Sequence, residues 1–526
     1  MLRQTFLSLA IFTILIIVFS GSSCNRTNSG AVTIANSDKF SSLDTLSTTS
    51  PDSAADRLRN LIFNSLVKKS DKFEYIGDLA KEIKFGEDNL TVTFNLQENV
   101  KFHNGQPFSS ADAKYTLDAL LEAKGYKGTA FYDSKPNPED LKNPIKEPHI
   151  TSIETPDAKT LVIKVRRPAL VNQLLSNLVA IPIIPNNTIE QQKTSPIGTG
   201  AFKFGKFDQL NNIVELDAFP EYWEGTPKIG KLVVKTVTDA NALQAELQSG
   251  RIDIVPNPTN FSADTFNSVA QNPNLQVVQT NGANIRYMSF NVSNETLKNP
   301  KLRQAVAFAI DREKIIKELL SGQAKIAHSV LPEDSWAYSA GTSYTYDPAK
   351  AKKLIQESGY KGEKINFKIA AGSTAISQYS QVIQNSLKEV GINAEIETLE
   401  LNTLLDQLKQ GQFQMTTAQW VGGNQDPIFL RDLFESNESP DKKAGGRNRS
   451  RYSNPEFDKI VNEAFNTVDK AKAKELYVKA QEIISNDLPY ITLWYPSNMV
   501  VATKRIGNIK INPSGEWTFI KDLTLN

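Results

Sequence analysis

Hydrophobic positions along this chain change period several times. Leu90, Val92, Phe94 and Leu96 alternate with Thr91, Thr93 and Asn95, the two-residue period of a half-buried strand. Leu161, Ile163 and Val165 repeat that period. Between these strands Ala113, Leu117, Leu120 and Leu121 share one helical face, with Ser109 or Ser110 placed to cap it. Asn299-Pro300 predicts another helix start, because proline lacks an N–H that the first turn would leave unbonded anyway. Leu302, Ala305, Val306 and Ala309 form its apolar stripe. Further on, Ile383, Leu387 and Val390 make a helical face that Gly391 ends. Ile392, Ala394 and Ile396 then return to alternation. Strands interleaved with helices predict an α/β protein with mixed sheets.

The N-terminus follows another rule. An apolar run from Phe6 to Phe19 follows Arg3 and precedes Ser20, Gly21, Ser22 and Ser23. A membrane-spanning helix needs about 20 apolar residues. This shorter run reads as the core of a signal peptide over residues 1–23. Cys24, the only cysteine, comes next and cannot form an internal disulfide. Its setting resembles the lipobox of bacterial lipoproteins, in which the cysteine sulfur carries a lipid, although Gly21 stands where leucine is usual. The expectation is a lipid-anchored Cys24 and a short polar tether over residues 24–30.

The rest of the chain is longer than a single hydrophobic core supports, so at least two lobes are expected. Formal net charge is +1, and the charge of Arg3 leaves with the signal peptide, so the mature chain is neutral. A neutral chain with no basic stripe argues against nucleic acid as a partner. No nucleophile elbow, HExxH, phosphate loop or cysteine–histidine pair is present, so an exported enzyme is disfavoured. His103, His149 and His328 are far apart, and no cysteine remains for coordination, so no metal site and no cofactor are expected.

Several motifs carry a family resemblance. LAKEIKFGEDNLTVTFNLQENVKFHNGQPFSSADAKYTL from Leu79 to Leu117 resembles the signature of the family 5 extracellular solute-binding proteins of ABC importers. Pro196-Ile197-Gly198-Thr199-Gly200, Tyr222-Trp223-Glu224-Gly225 and Ala245 to Asp253 resemble later motifs of that family, as do Leu302 to Ala305, Ala309 to Arg312 and Tyr452 to Asp458. Ala113 stands where valine is usual. The resemblance implies a two-lobed periplasmic-binding-protein fold of type II around an interlobe cleft. Lobe I is expected over 31–282 plus 495–526, with an inserted subdomain at about 63–185, and lobe II over 283–494. The crossovers are expected around Tyr287–Asn291 and Trp494–Val501.

It also implies a function: capture of short peptides and delivery to an ABC permease, on the outer face of the membrane or in the periplasm, as a monomer. A nickel chelate, another small solute, or peptide sensing without transport are the alternatives. Trp420 to Pro427 resembles the family's cleft loop, in which an aspartate at the position of Asp426 pairs with the peptide amine. Trp420, Gly422, Gly423 and Asn424 are expected to line the cleft, with plain core packing as the other reading of Trp420. The other reading of Asp426-Pro427 is a turn that caps the helix after it. Arg447, Arg449 and Arg451 lie on a charged loop, and Arg449 is the candidate for a peptide carboxylate, against a solvated surface role.

Overall fold

The computed structural model describes residues 30–526 apart from 41, 45, 50, 51, 124, 136–144, 423, 424 and 444. The expected signal peptide, Cys24 and all of the tether but Gly30 therefore lie outside the described residues.

Local signals become elements where the periods predict them. Thr91–Leu96 is a strand whose Val92, Phe94 and Leu96 are buried. It pairs antiparallel with Thr160–Val165, which buries Leu161, Ile163 and Val165. The helix Ser110–Glu122 starts at Ser109, whose N–H donates to Asp112 Oδ2 at 2.9 Å. Asn299 caps Pro300–Ala309 by accepting the Lys301 N–H at 3.0 Å. Gly391 ends the helix Thr374–Val390 with φ of 96°, a left-handed angle that glycine adopts without a Cβ clash.

Two mixed sheets organise these elements. The first has seven strands in the order Phe202–Asp208, Ile213–Ala218, Lys231–Thr236, Ala31–Asn36, Ile254–Pro256, Asn498–Thr503, Leu275–Thr280. The second has six, in the order Ala324–Ile326, Tyr490–Pro496, Ile285–Phe290, Met415–Trp420, Ile365–Ala370, Ala394–Leu399. Each buried core cluster draws its residues from one side of the crossings only. Two clusters pack on the seven-stranded sheet and include Val32, Leu232 and Trp517, or Leu243 and Val501. The clusters of Phe290, Phe367 and Leu493, of Phe434 and Tyr477, and of Leu404 and Phe413 belong to the other side. The region 63–185 has its own four-stranded sheet, from Ala80–Phe85 to Ile150–Asp157, yet its Phe94, Leu117 and Leu178 share one core with the seven-stranded sheet.

The chain crosses between the sheets at 281–284 and returns at Ser497. Tyr287–Asn291 is therefore not a crossover: residues 287–290 form an inner strand of the six-stranded sheet. The reason is burial, since Tyr287, Met288 and Phe290 are covered on both faces and an open crossing would leave them in water. The two crossings touch. A Cβ on Gly282 would lie 2.0 Å from the Pro496 carbonyl oxygen, so only glycine lets them run this close. Asn498 Nδ2 donates to the Pro513 carbonyl at 2.9 Å and fixes the C-terminal tail beside the crossing. Among the described residues no helix is long and apolar enough to cross a membrane.

Candidate functional site

The strand Met415–Trp420 ends at the crossings, and the loop after it enters the space between the two sheets. Gly422 has φ of 74° and open space where a Cβ would stand. Its N–H donates to Asn284 Oδ1 at 3.1 Å, which ties the loop to the first crossing. Gly423 and Asn424, expected to line the cleft, lie outside the described residues. The loop then buries two polar side chains in succession, Gln425 at 4% exposure and Asp426 at 8%.

Asp426 is the junction of both sides. Its Oδ1 accepts the Ile428 N–H at 2.9 Å, and its carbonyl accepts the Phe429 N–H at 3.0 Å. That is the turn an Asp-Pro pair favours. The next helix, Phe429–Phe434, starts from Ile428, so Asp426 builds the turn without being the cap itself. Its other oxygen accepts the hydroxyl of Tyr75. Tyr75 belongs to a hairpin of Val67–Lys69 and Tyr75–Gly77, which comes from the other lobe. From the same hairpin Lys69 Nζ donates to Gln425 Oε1 at 3.2 Å. Beside it Trp336 N–H donates to the Lys72 carbonyl at 3.3 Å, and Lys470 pairs with Glu74.

Burial raises the Asp426 carboxyl to about 6, and the neighbouring Asp432 adds to the rise. The Lys69 ammonium and the Ile428 N–H oppose it. Lys69 feels the same surroundings in reverse: burial pushes its ammonium down, while Asp426 and Glu516 hold it up. Glu516, on the C-terminal tail, is pushed up by burial against the pull of Lys69.

Two separate cavities are lined by these residues. One of about 220 Å³ is lined by Tyr75, Phe85 and Leu175 from one lobe and by Trp336, Asp426 and Tyr477 from the other. The second, of about 490 Å³, is polar and includes Lys68, Lys69, Glu224, Glu516 and Lys521 in its wall. Its size lies within the range of about 300–1,000 Å³ that small-molecule sites occupy.

The other candidates cluster on the six-stranded sheet. The Trp420 ring stacks on Tyr287 at 6.1 Å, and Tyr287 stacks on Tyr490 at 4.5 Å. Phe429 meets Trp420 edge-on at 5.1 Å, so Trp420 is packed within a core cluster as well as standing at the cleft end of its strand. The Arg449 guanidinium lies 5.7 Å from the Trp420 ring centroid, a cation–π contact. Its Nε is buried with no hydrogen-bond partner among the described residues. The neighbouring arginines are engaged elsewhere: Arg447 with Asp432 at 3.1 Å, and Arg451 with Asp441 at 3.0 Å.

Tyr75, Lys69, Glu516, Trp336 and Tyr477 lie outside the motifs that the sequence offers for the site, and Gln425 falls within the cleft-loop motif without a role of its own. Tyr75 and Asp426 are 351 residues apart, and no local pattern links them. His103 is absorbed by the fold. With Nε2–H donating to the Gly200 carbonyl at 2.9 Å, Nδ1 accepts the Gly198 N–H at 3.3 Å; that tautomer is assigned from its partners. Burial lowers its pKa to about 4, with Lys203 adding to that effect and the Gly200 bond opposing it. Among the described residues no group of three or more His, Cys, Asp or Glu is placed to hold a metal ion.

Two separately cored lobes, two touching crossings and polar groups buried between the lobes define a protein of the cleft-binding class. The chain belongs to the bacterial extracellular solute-binding proteins, family 5, whose sequence profile matches residues 74–441. A Brucella ovis protein named as an ABC transporter peptide-binding protein is 32% identical over 473 residues, covering 86% of this chain and 85% of its own. Among solved structures, the ABC transporter substrate-binding protein CtaP of Listeria monocytogenes superposes with a TM-score of 0.81 at 22% identity, over 94% of this chain and 99% of its own. The oligopeptide-binding protein AppA of Bacillus subtilis, solved with a nonapeptide, gives 0.71 at 24% identity, over 95% and 99%. At these identities the structural likeness speaks for the fold.

Proposed function

We propose that this chain captures short peptides between its lobes and hands them to an ABC importer. The observation that carries the reading is Asp426, a carboxylate buried beside an interlobe cavity and touched by both lobes. A peptide amine entering that cavity would make a charge-assisted hydrogen bond to it, worth about 1.5–3 kcal/mol. Arg449 is the proposed partner of the peptide carboxylate. Its guanidinium is held over Trp420 by its ring contact, and its Nε lacks a partner among the described residues. Ligand contacts made by both lobes exist only in the closed form, so the ligand shifts the open–closed balance toward it. The apolar run before Cys24 supports export and a lipid anchor at that residue.

The test is calorimetric titration with trialanine and with N-acetyl-trialanine. Binding that acetylation weakens at least about tenfold, with the same loss in Asp426→Asn, is expected from a lost bond of that size. Equal affinity for both peptides would overturn the amine assignment. Heat from a nickel–histidine chelate and from neither peptide would favour the metal-chelate reading instead.

A further inference from the structure

The cavity of about 220 Å³ beside Asp426 is smaller than the range of about 300–1,000 Å³ that whole small ligands occupy, so it has room for one end of a ligand. Its buried wall comes from both lobes, with Leu175 from one and Ala473 and Tyr477 from the other. Trp336 and Val468 extend that apolar surface, and the Trp336 ring meets Tyr477 edge-on at 6.0 Å. Phe85 ends the strand Ala80–Phe85 and joins the wall with 49% of its surface exposed. A large ring left half in water gains by being covered. Among the described residues of the wall, Glu74, Lys470 and Asp426 are charged. Glu74 and Lys470 pair with each other, and their side chains are 36% and 54% exposed, which places that pair at the mouth. The Thr467 hydroxyl donates to the Glu463 carbonyl at 2.8 Å, and Asn172 adds one amide. The result is an apolar recess next to a buried carboxylate.

We propose that this recess seats the ligand's first side chain and selects peptides whose N-terminal residue is apolar and about the size of leucine. The inference rests on the amine assignment of Asp426 above. In a peptide the terminal nitrogen and the first Cβ share one Cα, so an amine held at Asp426 brings the first side chain to the recess. A leucine side chain there would cover the Phe85 ring and leave water. A charged first side chain would be buried with no free counter-charge, because Glu74 and Lys470 neutralise each other. Residues after the first lie beyond a cavity of this size and escape the selection.

The experiment titrates the full mature protein with leucyl-dialanine, glycyl-dialanine and glutamyl-dialanine. The leucyl peptide should bind at least about tenfold tighter than the glycyl peptide, the scale of one buried apolar side chain. The glutamyl peptide should bind no tighter than the glycyl one. Two variants then locate the preference: Val468→Trp fills the recess, and Phe85→Ala removes its exposed ring. The ratio of leucyl to glycyl affinity is read within each variant, so a general loss of folding or closure cancels. That ratio should fall severalfold in Val468→Trp and by a smaller factor in Phe85→Ala. Equal affinities for the leucyl and glycyl peptides in the parent, or a ratio that both variants leave unchanged, would overturn the proposal. N-acetyl-leucyl-dialanine separates this failure from that of the amine assignment. If it binds as tightly as the free peptide, Asp426 does not hold the amine, and the ratio with its response to Val468→Trp still decides whether the recess seats an apolar side chain.

Discussion

Asp426 carries a pH signature that its position dictates. With the lobes in contact its carboxyl titrates at about 6, and an open form that exposed it to water would return it toward its ordinary value of 3.8. Between those values the closed form holds a proton that the open form has released. Its contribution to closure is therefore full below the lower value and is lost as pH rises through the upper one. A shift of this size corresponds to about 3 kcal/mol. The groups facing it are the Tyr75 hydroxyl, the Lys69 ammonium, Asp432 and Tyr477. Ligand-free protein should be more closed at pH 5 than at pH 7.5, as read by scattering. A peptide amine needs the ionised carboxylate, so binding near pH 5 should release protons. Titration in two buffers of different ionisation enthalpy measures that release; a zero or opposite sign would contradict the environment described for Asp426.

At the scale of elements, the crossings and the hairpin make separable predictions. Gly282→Ala places a Cβ against the Pro496 carbonyl and forces the two crossings apart. A loss of about 1–3 kcal/mol is expected in denaturant unfolding, with peptide affinity changed as well because the lobes no longer meet at the same angle. Tyr75→Phe removes the hydroxyl that the hairpin gives to Asp426. It should cost about 1–3 kcal/mol of closure and leave the fold intact, measured as a more open ligand-free protein with unchanged circular dichroism. Elements of this kind were legible in the sequence where the signal is local. The alternation of Val92, Phe94 and Leu96, the Asn299-Pro300 start and the Gly391 stop each use neighbours a few residues apart. Tyr287–Asn291 misled because an extended apolar stretch reads alike as an inner strand or a crossing, and only its pairing partners tell them apart.

At the scale of the whole molecule, division into lobes follows from how the apolar residues cluster. Separate cores on either side of two short crossings leave few apolar bonds between lobes, so their relative motion is cheap. The hairpin half of the polar bridge, Tyr75 and Lys69 reaching Asp426 and Gln425, is the part of the site that sequence could not supply. Its members come together only when residues some 350 positions apart meet across the cleft. Asp426 itself was visible because the motif around it is contiguous; Lys69 and Glu516 sit in segments with no motif of their own.

The most direct measurement is a crystal structure of the mature protein with trialanine. The peptide amine is expected between the lobes at about 2.7–2.9 Å from an Asp426 oxygen, the length of a charge-assisted bond. A peptide bound elsewhere, or bound in the cleft with its amine in solvent and Asp426 still satisfied by Tyr75 alone, would contradict capture through the free amine.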